Sequence, residues 1–285
     1  MKIQKFFDPR TSNLTYVVSD DATRKAVVIE SVLDFDAKSG RISEESIENV
    51  DKYLIENQLE LVYLLDTHAH ADHLSGAQVL KARHGAKFGI GANVTKVQET
   101  FKNVFDMGED FATDGSQFDL LLKDGDVLPL GQLNIKAIHT PGHTPACMCY
   151  LVDDALFTGD ALFMPDAGTG RCDFPNGSAA DLYDSVREKL YALPDETRVF
   201  VGHDYQPGGR ELRFETTIGK SKTYNIALTE ETSKEDFVKF RKERDDTLAL
   251  PVLIFPSVQV NICAGRIPQP HANGIAYLKI PLNVL

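Results

Sequence analysis

Apolar positions along the chain fall into two patterns, short continuous runs and helical spacings. Tyr16-Val17-Val18 and Ala26-Val27-Val28-Ile29 read as two early strands joined by the turn-prone Ser19-Asp20-Asp21. Across residues 43–58, Ile47, Val50, Leu54 and Ile55 follow a helical period, with Ser43 placed to cap it. Leu61-Val62-Tyr63-Leu64-Leu65 is an unbroken apolar run, the pattern of a strand buried on both faces. Residues 75–84 and 94–106 read as helices. Residues 118–138 read as a stretch of strands punctuated by Asp124-Gly125 and Leu130-Gly131. Residues 146–152 and 155–158 predict a hairpin across Asp153-Asp154, followed by a helix over 179–193 and a strand over 198–201. Runs of strands with helices between them, twice over, predict an α/β protein of two packed sheets with helices outside, an αβ/βα four-layer sandwich.

The last eighty or so residues differ. Residues 232–245 predict a helix opened by Thr232 with Glu235 three residues on, a capping-box pattern. Residues 250–285 are rich in proline and are expected to form short strands. The whole chain, residues 1–285, is expected to be a single domain, with 206–285 an appendage on the main core.

Composition narrows the setting. A chain of 285 residues with 42% hydrophobic content can bury one large core. No stretch approaches the roughly 20 apolar residues of a membrane span. The opening MKIQKFFDPR has neither a long apolar segment nor a small-residue cleavage site, so a cytoplasmic chain is expected. A formal net charge of −12 opposes nucleic acid and anionic membranes as partners. The four cysteines, Cys147, Cys149, Cys172 and Cys263, are too sparse for a disulfide framework and are expected to be thiols. Cys147 and Cys149 alternate on a strand and suit the core.

The candidate chemistry lies at strand ends. Thr67-His68-Ala69-His70-Ala71-Asp72-His73 follows the buried strand ending near Asp66. Histidines two apart in an extended segment project to one side. Four metal-capable side chains within six residues suit a metal site far better than a core. Three more candidates also follow strands: His139-Thr140-Pro141-Gly142-His143, Thr158-Gly159-Asp160 and Gly202-His203-Asp204. Ligands at the ends of neighbouring strands can converge on one cleft. The glycine before each permits a tight turn and close backbone approach.

THAHADH, PGH, TGD and GHD, in that order over roughly residues 10–205, resemble the metallo-β-lactamase superfamily. The resemblance implies the metallo-β-lactamase fold. It implies a first metal position at His68, His70, His143 and Asp160, and a second at Asp72, His73, Asp160 and His203. Several branches fit poorly. Secreted β-lactamases carry an export signal, RNA-processing members carry basic arms or inserted domains, and di-iron flavoproteins have glutamate where this chain has His70. Two branches remain, glyoxalase II and the persulfide dioxygenases. Gly168-Thr169-Gly170-Arg171-Cys172-Asp173-Phe174 is similar to the dioxygenases' GCGRTDF loop, with Cys172 standing where threonine is usual. LYDSVREKLYALPDET, FVKFRKERDDTLALP and PSVQVNICAG resemble the same branch.

For that branch the resemblance implies one Fe(II) per chain held by His68, His143 and Asp160, which would then carry catalysis. His70, Asp72, His73 and His203 would orient ligands and water. The activity implied is oxidation of glutathione persulfide by O2 to sulfite and glutathione. The alternative is a hydroxyacylglutathione hydrolase with a two-metal site, with zinc as the alternative metal. A non-catalytic metal-binding module is a further alternative, opposed by the completeness of the ligand set. The partners expected are the small thiol substrate, O2 and, at most, a second copy of the chain as a homodimer. Glutathione carries two carboxylates, which call for cations. Arg171 is the first candidate, against a structural pair with Asp173. Arg241, Lys242 and Arg244 on the tail helix follow, against a solvated helix face, and Tyr205 could line the cleft or pack.

Overall fold

The computed structural model describes residues 1–284. The first half supplies strands β1 (Lys2–Asp8), β2 (Asn13–Ser19), β3 (Lys25–Ile29), β4 (Val32–Asp36) and β5 (Arg41–Ser43) and helix α1 (Glu45–Glu56). It continues through β6 (Glu60–Leu65), β7 (Leu74–Ser75), α2 (Ala77–His84), β8 (Lys87–Gly91), α3 (Val94–Val104) and β9 (Leu120–Leu122). The second half supplies β10 (Val127–Leu130), β11 (Leu133–His139), β12 (Met148–Val152), β13 (Ala155–Phe157) and α4 (Ala179–Asp184). Then come β14 (Arg198–Phe200), β15 (Glu215–Thr217), α5 (Ile218–Tyr224), α6 (Lys234–Asp245) and α7 (Ile254–Asn261).

These strands form two six-stranded sheets, in the orders β1-β2-β3-β6-β8-β9 and β10-β11-β12-β13-β14-β15, with a small sheet β5-β4-β7 beside them. Pairing is parallel from β3 through β6 and β8 to β9, and between β13 and β14. One face of β2 and β3 (Tyr16, Val18, Val27, Ile29) packs against Ile135, Tyr150 and Phe157 of the second sheet. The other face (Val17, Val28) packs with Leu64 against Ile47 and Leu54 of α1, Leu80 of α2 and Phe101 of α3. Burial on both faces explains why the early strands read as unbroken apolar runs. This is the metallo-β-lactamase fold, and among the described residues no helix is long and apolar enough to cross a membrane.

Two buried tyrosines stitch the sheets together where the candidate loops leave them. Tyr150 on β12 donates to the carbonyl of Asp66 at 2.8 Å, and Tyr16 on β2 donates to that of Val201 at 2.7 Å. Backbone bonds from Met148 to Thr67 and from Leu14 to Gly202, each 2.9 Å, extend the seam.

Local departures from the sequence reading have physical causes. Helix α1 is not capped by Ser43, which ends β5. Instead the Asp34 carboxylate accepts from the backbone N and hydroxyl of Ser46, each at 2.8 Å. The cap of α6 is Ser233, not Thr232; its hydroxyl accepts from Asp236 N and donates to the Asp236 carboxylate. Residues 118–138 do form strands, but β9 closes the first sheet and β10 opens the second. The helix expected over 179–193 begins as α4 and widens to π-helical spacing over residues 185–190.

The tail departs most. Residues 250–284 contain α7 and no strand. The expected appendage, 206–285, lends β15 to the second sheet and buries Ile254, Val258 and Ile262 of the α7 region in the core of the first. Apolar contact of this kind holds a proline-rich segment helical despite its weak local signal.

Candidate metal centre

The four strand-end segments converge at one end of the sandwich. β6 runs into Thr67–His73, β11 into His143, β13 into Asp160 and β14 into His203. Gly159 and Gly202 let two of these loops cross: Gly202 N donates to Gly159 O at 3.3 Å. Gly159 has a φ of +48°, and a Cβ there would stand 2.3 Å from the Thr67 hydroxyl. Only glycine fits such a position.

The donor atoms of His68, His143 and Asp160 all lie within 4.8 Å of one another, as do those of His70, Asp72 and His73. The rings of His68 and His143 are 4.8 Å apart, and that of His70 is 4.1 Å from both His68 and His73. Asp160 stands between the two halves. Its oxygens lie 3.5 Å from His143 Nε2 and 3.4 Å from His203 Nε2, which is also 3.3 Å from the Asp72 carboxylate. His68, His70, His73 and His203 are all fully buried. All seven residues singled out as metal-capable thus meet in one place.

Their donor capacity is not met by the protein. Buried atoms of His70, His73, Asp72, Asp160 and His203 have no hydrogen-bond partner. Unpaired buried polar atoms are costly and rare, and the unpaired atoms of Asp72, His73 and Asp160 among these clustered donors fit a bound metal cation. Burial, and then the neighbouring His70, push His68 well below the ordinary histidine range and His73 down to about 4. Both stay neutral at pH 7, with lone pairs available for coordination.

The surroundings fix the ring orientations. His143 Nδ1 donates to Arg171 O at 2.6 Å, and Thr67 Oγ1 lies 2.9 Å from His68 Nδ1. Such hydrogen bonds select the nitrogen presented to a metal. The residue missed by sequence reasoning is Glu30. It is buried at the end of β3 with a φ of +62°, a strained conformation for a side chain of its size. Its carboxylate accepts from Thr67 N at 2.6 Å and from Thr67 Oγ1 at 3.0 Å, and lies 3.1 Å from His70 Nε2. Burial alone would raise Glu30 and lower His70. Their mutual attraction outweighs it, holding Glu30 below the ordinary carboxylate range and His70 up at about 10. The signal was present: Glu30 is another acidic residue directly after a buried strand.

A cavity of about 1180 Å³ opens over Asp72, His73, His143 and Asp160. Tyr205 lines it, stacked on His203 with ring centres 5.5 Å apart, and Phe163 meets both rings edge-on. The expected substrate cations divide. Arg171 lines the cavity, but its guanidinium is clamped by two 2.6 Å bonds to Asp173 and one of 2.7 Å to Ala249 O. Arg241 is buried against Asp245 and Thr169 O. Lys242 is exposed and does not line the cavity. Arg244 lines it with no carboxylate partner among the described residues, its one hydrogen bond going to Thr247 Oγ1. Cys172 is buried in the same loop, its thiol pushed up to about 12 by burial, and its backbone N donates to Asp245.

The profile of the metallo-beta-lactamase superfamily matches residues 8–203. Over its full length the chain is 48% identical to a probable metallo-hydrolase of Burkholderia pseudomallei, also covered in full. It is 45% identical to glyoxylase B2 of Dictyostelium discoideum, covering all of this chain and 98% of that one. It is 31% identical to the human mitochondrial persulfide dioxygenase ETHE1, over 83% of this chain and 79% of that protein. The crystal structure of ETHE1 from Myxococcus xanthus superposes with a TM-score of 0.75 at 33% identity, covering 93% of this chain and all of that one. Other curated relatives, at 45 to 49% identity, are longer, and the chain spans 65% of their length. With a profile match spanning all four ligand-bearing loops, and those loops meeting at one centre, the chain belongs to the metallo-beta-lactamase superfamily.

Proposed function

We propose that this chain is an iron-dependent persulfide dioxygenase, oxidising glutathione persulfide with O2 and water to sulfite and glutathione. The observation that carries the reading is the convergence of His68, His143 and Asp160, two imidazoles and a carboxylate drawn from three loops. That is the donor set of mononuclear non-haem iron sites. His70, whose Nε2 lies 3.1 Å from the Glu30 carboxylate, suits a neighbour of that centre better than a third imidazole ligand. Likeness to the human persulfide dioxygenase adds support.

Iron held by these three residues would supply the redox chemistry by which O2 oxidises a thiol-borne sulfur. The protein's part is to hold and enclose. Asp160 is steadied between His143 and His203, and Arg171 O fixes the His143 ring. Tyr205 and Phe163 give the cavity an aromatic wall beside the centre. Arg244, uncommitted on the rim, is placed to take a glutathione carboxylate. A cytoplasmic setting, with reduced thiol as carrier, suits the four free cysteines.

A second reading rests on the second cluster, His70, Asp72 and His73, and on likeness to glyoxylase B2. Two metals sharing Asp160 would then support hydrolysis of a glutathione thioester. One experiment separates the two. Protein purified without oxygen is analysed for metal and assayed for oxygen uptake with glutathione persulfide. The dioxygenase reading expects about one iron per chain and sulfite formation. Two zinc ions, with hydrolysis of S-lactoylglutathione and no oxygen uptake, would move the chain to the hydrolase branch.

A further inference from the structure

The loop that carries His70, Asp72 and His73 is held from the far end of the chain. Asn261, the last residue of α7, is buried, and every polar function of its amide is directed at that loop. Its Nδ2 donates to His70 O at 2.9 Å and to His73 O at 2.8 Å, and its Oδ1 accepts from Ser75 N at 2.8 Å. A primary amide offers two N–H donors and one carbonyl. All are matched, one for one, by backbone groups on either side of Asp72.

The element beneath is packed into the core. Val258 and Ile262 are in the core of the first sheet, and Val260 packs on Leu33 and Leu74. Two further amide side chains hold the exit of the helix. Gln98 on α3 donates to Ile262 O at 2.9 Å, and Gln78 on α2 donates to Ala264 O at 2.7 Å. Asn261 therefore transmits a fixed position to the loop, whereas Gln98 and Gln78 hold α7 without touching it.

We propose that Asn261 is a positioning residue for the metal centre, and that the C-terminal segment is part of the apparatus that shapes the metal loop. The inference holds for one metal or two, so it stands apart from the choice of reaction. Without the clamp, the carbonyls of His70 and His73 lose their buried partners and the loop must shift to find others. The donors of His70, Asp72 and His73 shift with it.

The test compares Asn261→Ala with Gln78→Ala in the full-length protein. Affinity for Fe(II) and for Zn(II) is measured by chelator competition, alongside the melting temperature and the visible absorption of the cobalt(II)-loaded protein. Asn261→Ala is expected to weaken metal binding by about 10- to 100-fold, the usual effect of removing a group that orients ligands. Its cobalt bands should shift, and kcat should fall more than KM rises. Gln78→Ala should lower the melting temperature while metal affinity and cobalt bands stay as in the parent. Should the alanine variant not fold, Asn261→Asp keeps the shape and the Ser75 acceptor but loses both donors, and the same metal loss is expected. Unchanged affinity and bands in a folded Asn261 variant, or equal metal loss in Gln78→Ala, would overturn the proposal.

Discussion

In the loop from Thr67 to His73, buried donors face one another with lone pairs left over; on the cavity rim, three of the four arginines are matched by carboxylates. Of the four arginines lining the cavity, Arg10 pairs with Asp34 and Glu45, Arg171 with Asp173 and Arg241 with Asp245. Only Arg244 lacks a carboxylate among the described residues. An unmet buried donor set needs an outside cation to complete it, whereas a matched rim is a scaffold that completes itself. The presence of a charged residue on a cavity wall is therefore weak grounds for calling it a ligand contact. What matters is whether its partner is already inside the protein.

The largest effect should come from removing a member of the unmet set. His143→Ala and Asp160→Ala are each expected to strip bound metal to background, as read by elemental analysis. Activity should fall by well over the roughly hundredfold ceiling typical of residues that only orient ligands. Near-normal metal content in either variant would break the comparison at its stronger half.

The same contrast explains what was legible in the sequence. The metal residues could be found because few residue types bind metal and each stands directly after a buried strand, a position set by topology. The rim could not be read in the same way. Arg171 was the first candidate for substrate, yet Asp173 two residues on is close enough to clamp it. Sequence adjacency raised both possibilities without ranking them. Asn261 lies in the PSVQVNICAG segment that resembles the dioxygenase branch, yet its role could not be read there, because it depends on a contact across some 190 residues, from a segment whose local pattern suggested strands. Its helix forms because Ile254, Val258 and Ile262 find apolar partners on the first core, which local propensity cannot anticipate.

Glu30 lies between the two extremes, matched by Thr67 yet facing His70. Glu30→Ala would leave a buried charge on His70 without its counter-ion, a loss of about 3–5 kcal/mol in stability. Metal affinity should fall by about 10- to 100-fold. Chemical denaturation and chelator competition measure the two separately. A stable variant with full metal affinity would show that Glu30 is packing, not support.

On the rim, Arg244→Ala is expected to raise KM for glutathione persulfide about tenfold, the equivalent of one charge-assisted hydrogen bond near 1.5 kcal/mol. Lysine at 244 should restore only part, lacking the planar fork. Metal content and melting temperature should not change, because Arg244 is exposed and its one hydrogen bond is local. An unchanged KM would remove Arg244 from the substrate site.

The smallest effect concerns Arg171 and Asp173, and it tests whether a matched rim pair is structural. Burial would raise the Asp173 carboxyl, but Arg171, bound to both its oxygens, outweighs that and holds it below the ordinary range. The stability it contributes is therefore present in full above the unfolded value of about 3.9 and is lost as pH falls through the lower folded value. Asp173 is more than one-third exposed, so the screened pair should contribute no more than about 1 kcal/mol. Urea midpoints of the parent and Asp173→Asn should differ by that modest amount at pH 7. The gap should hold steady down to about pH 4 and close only beneath it, where the aspartate itself begins to titrate. Closure between pH 7 and pH 5 would mean that a histidine, not the Arg171–Asp173 pair, governs this loop. A KM that rises in Arg171→Ala with no change in the urea midpoint would return Arg171 to the substrate, and the rim would no longer count as self-completing.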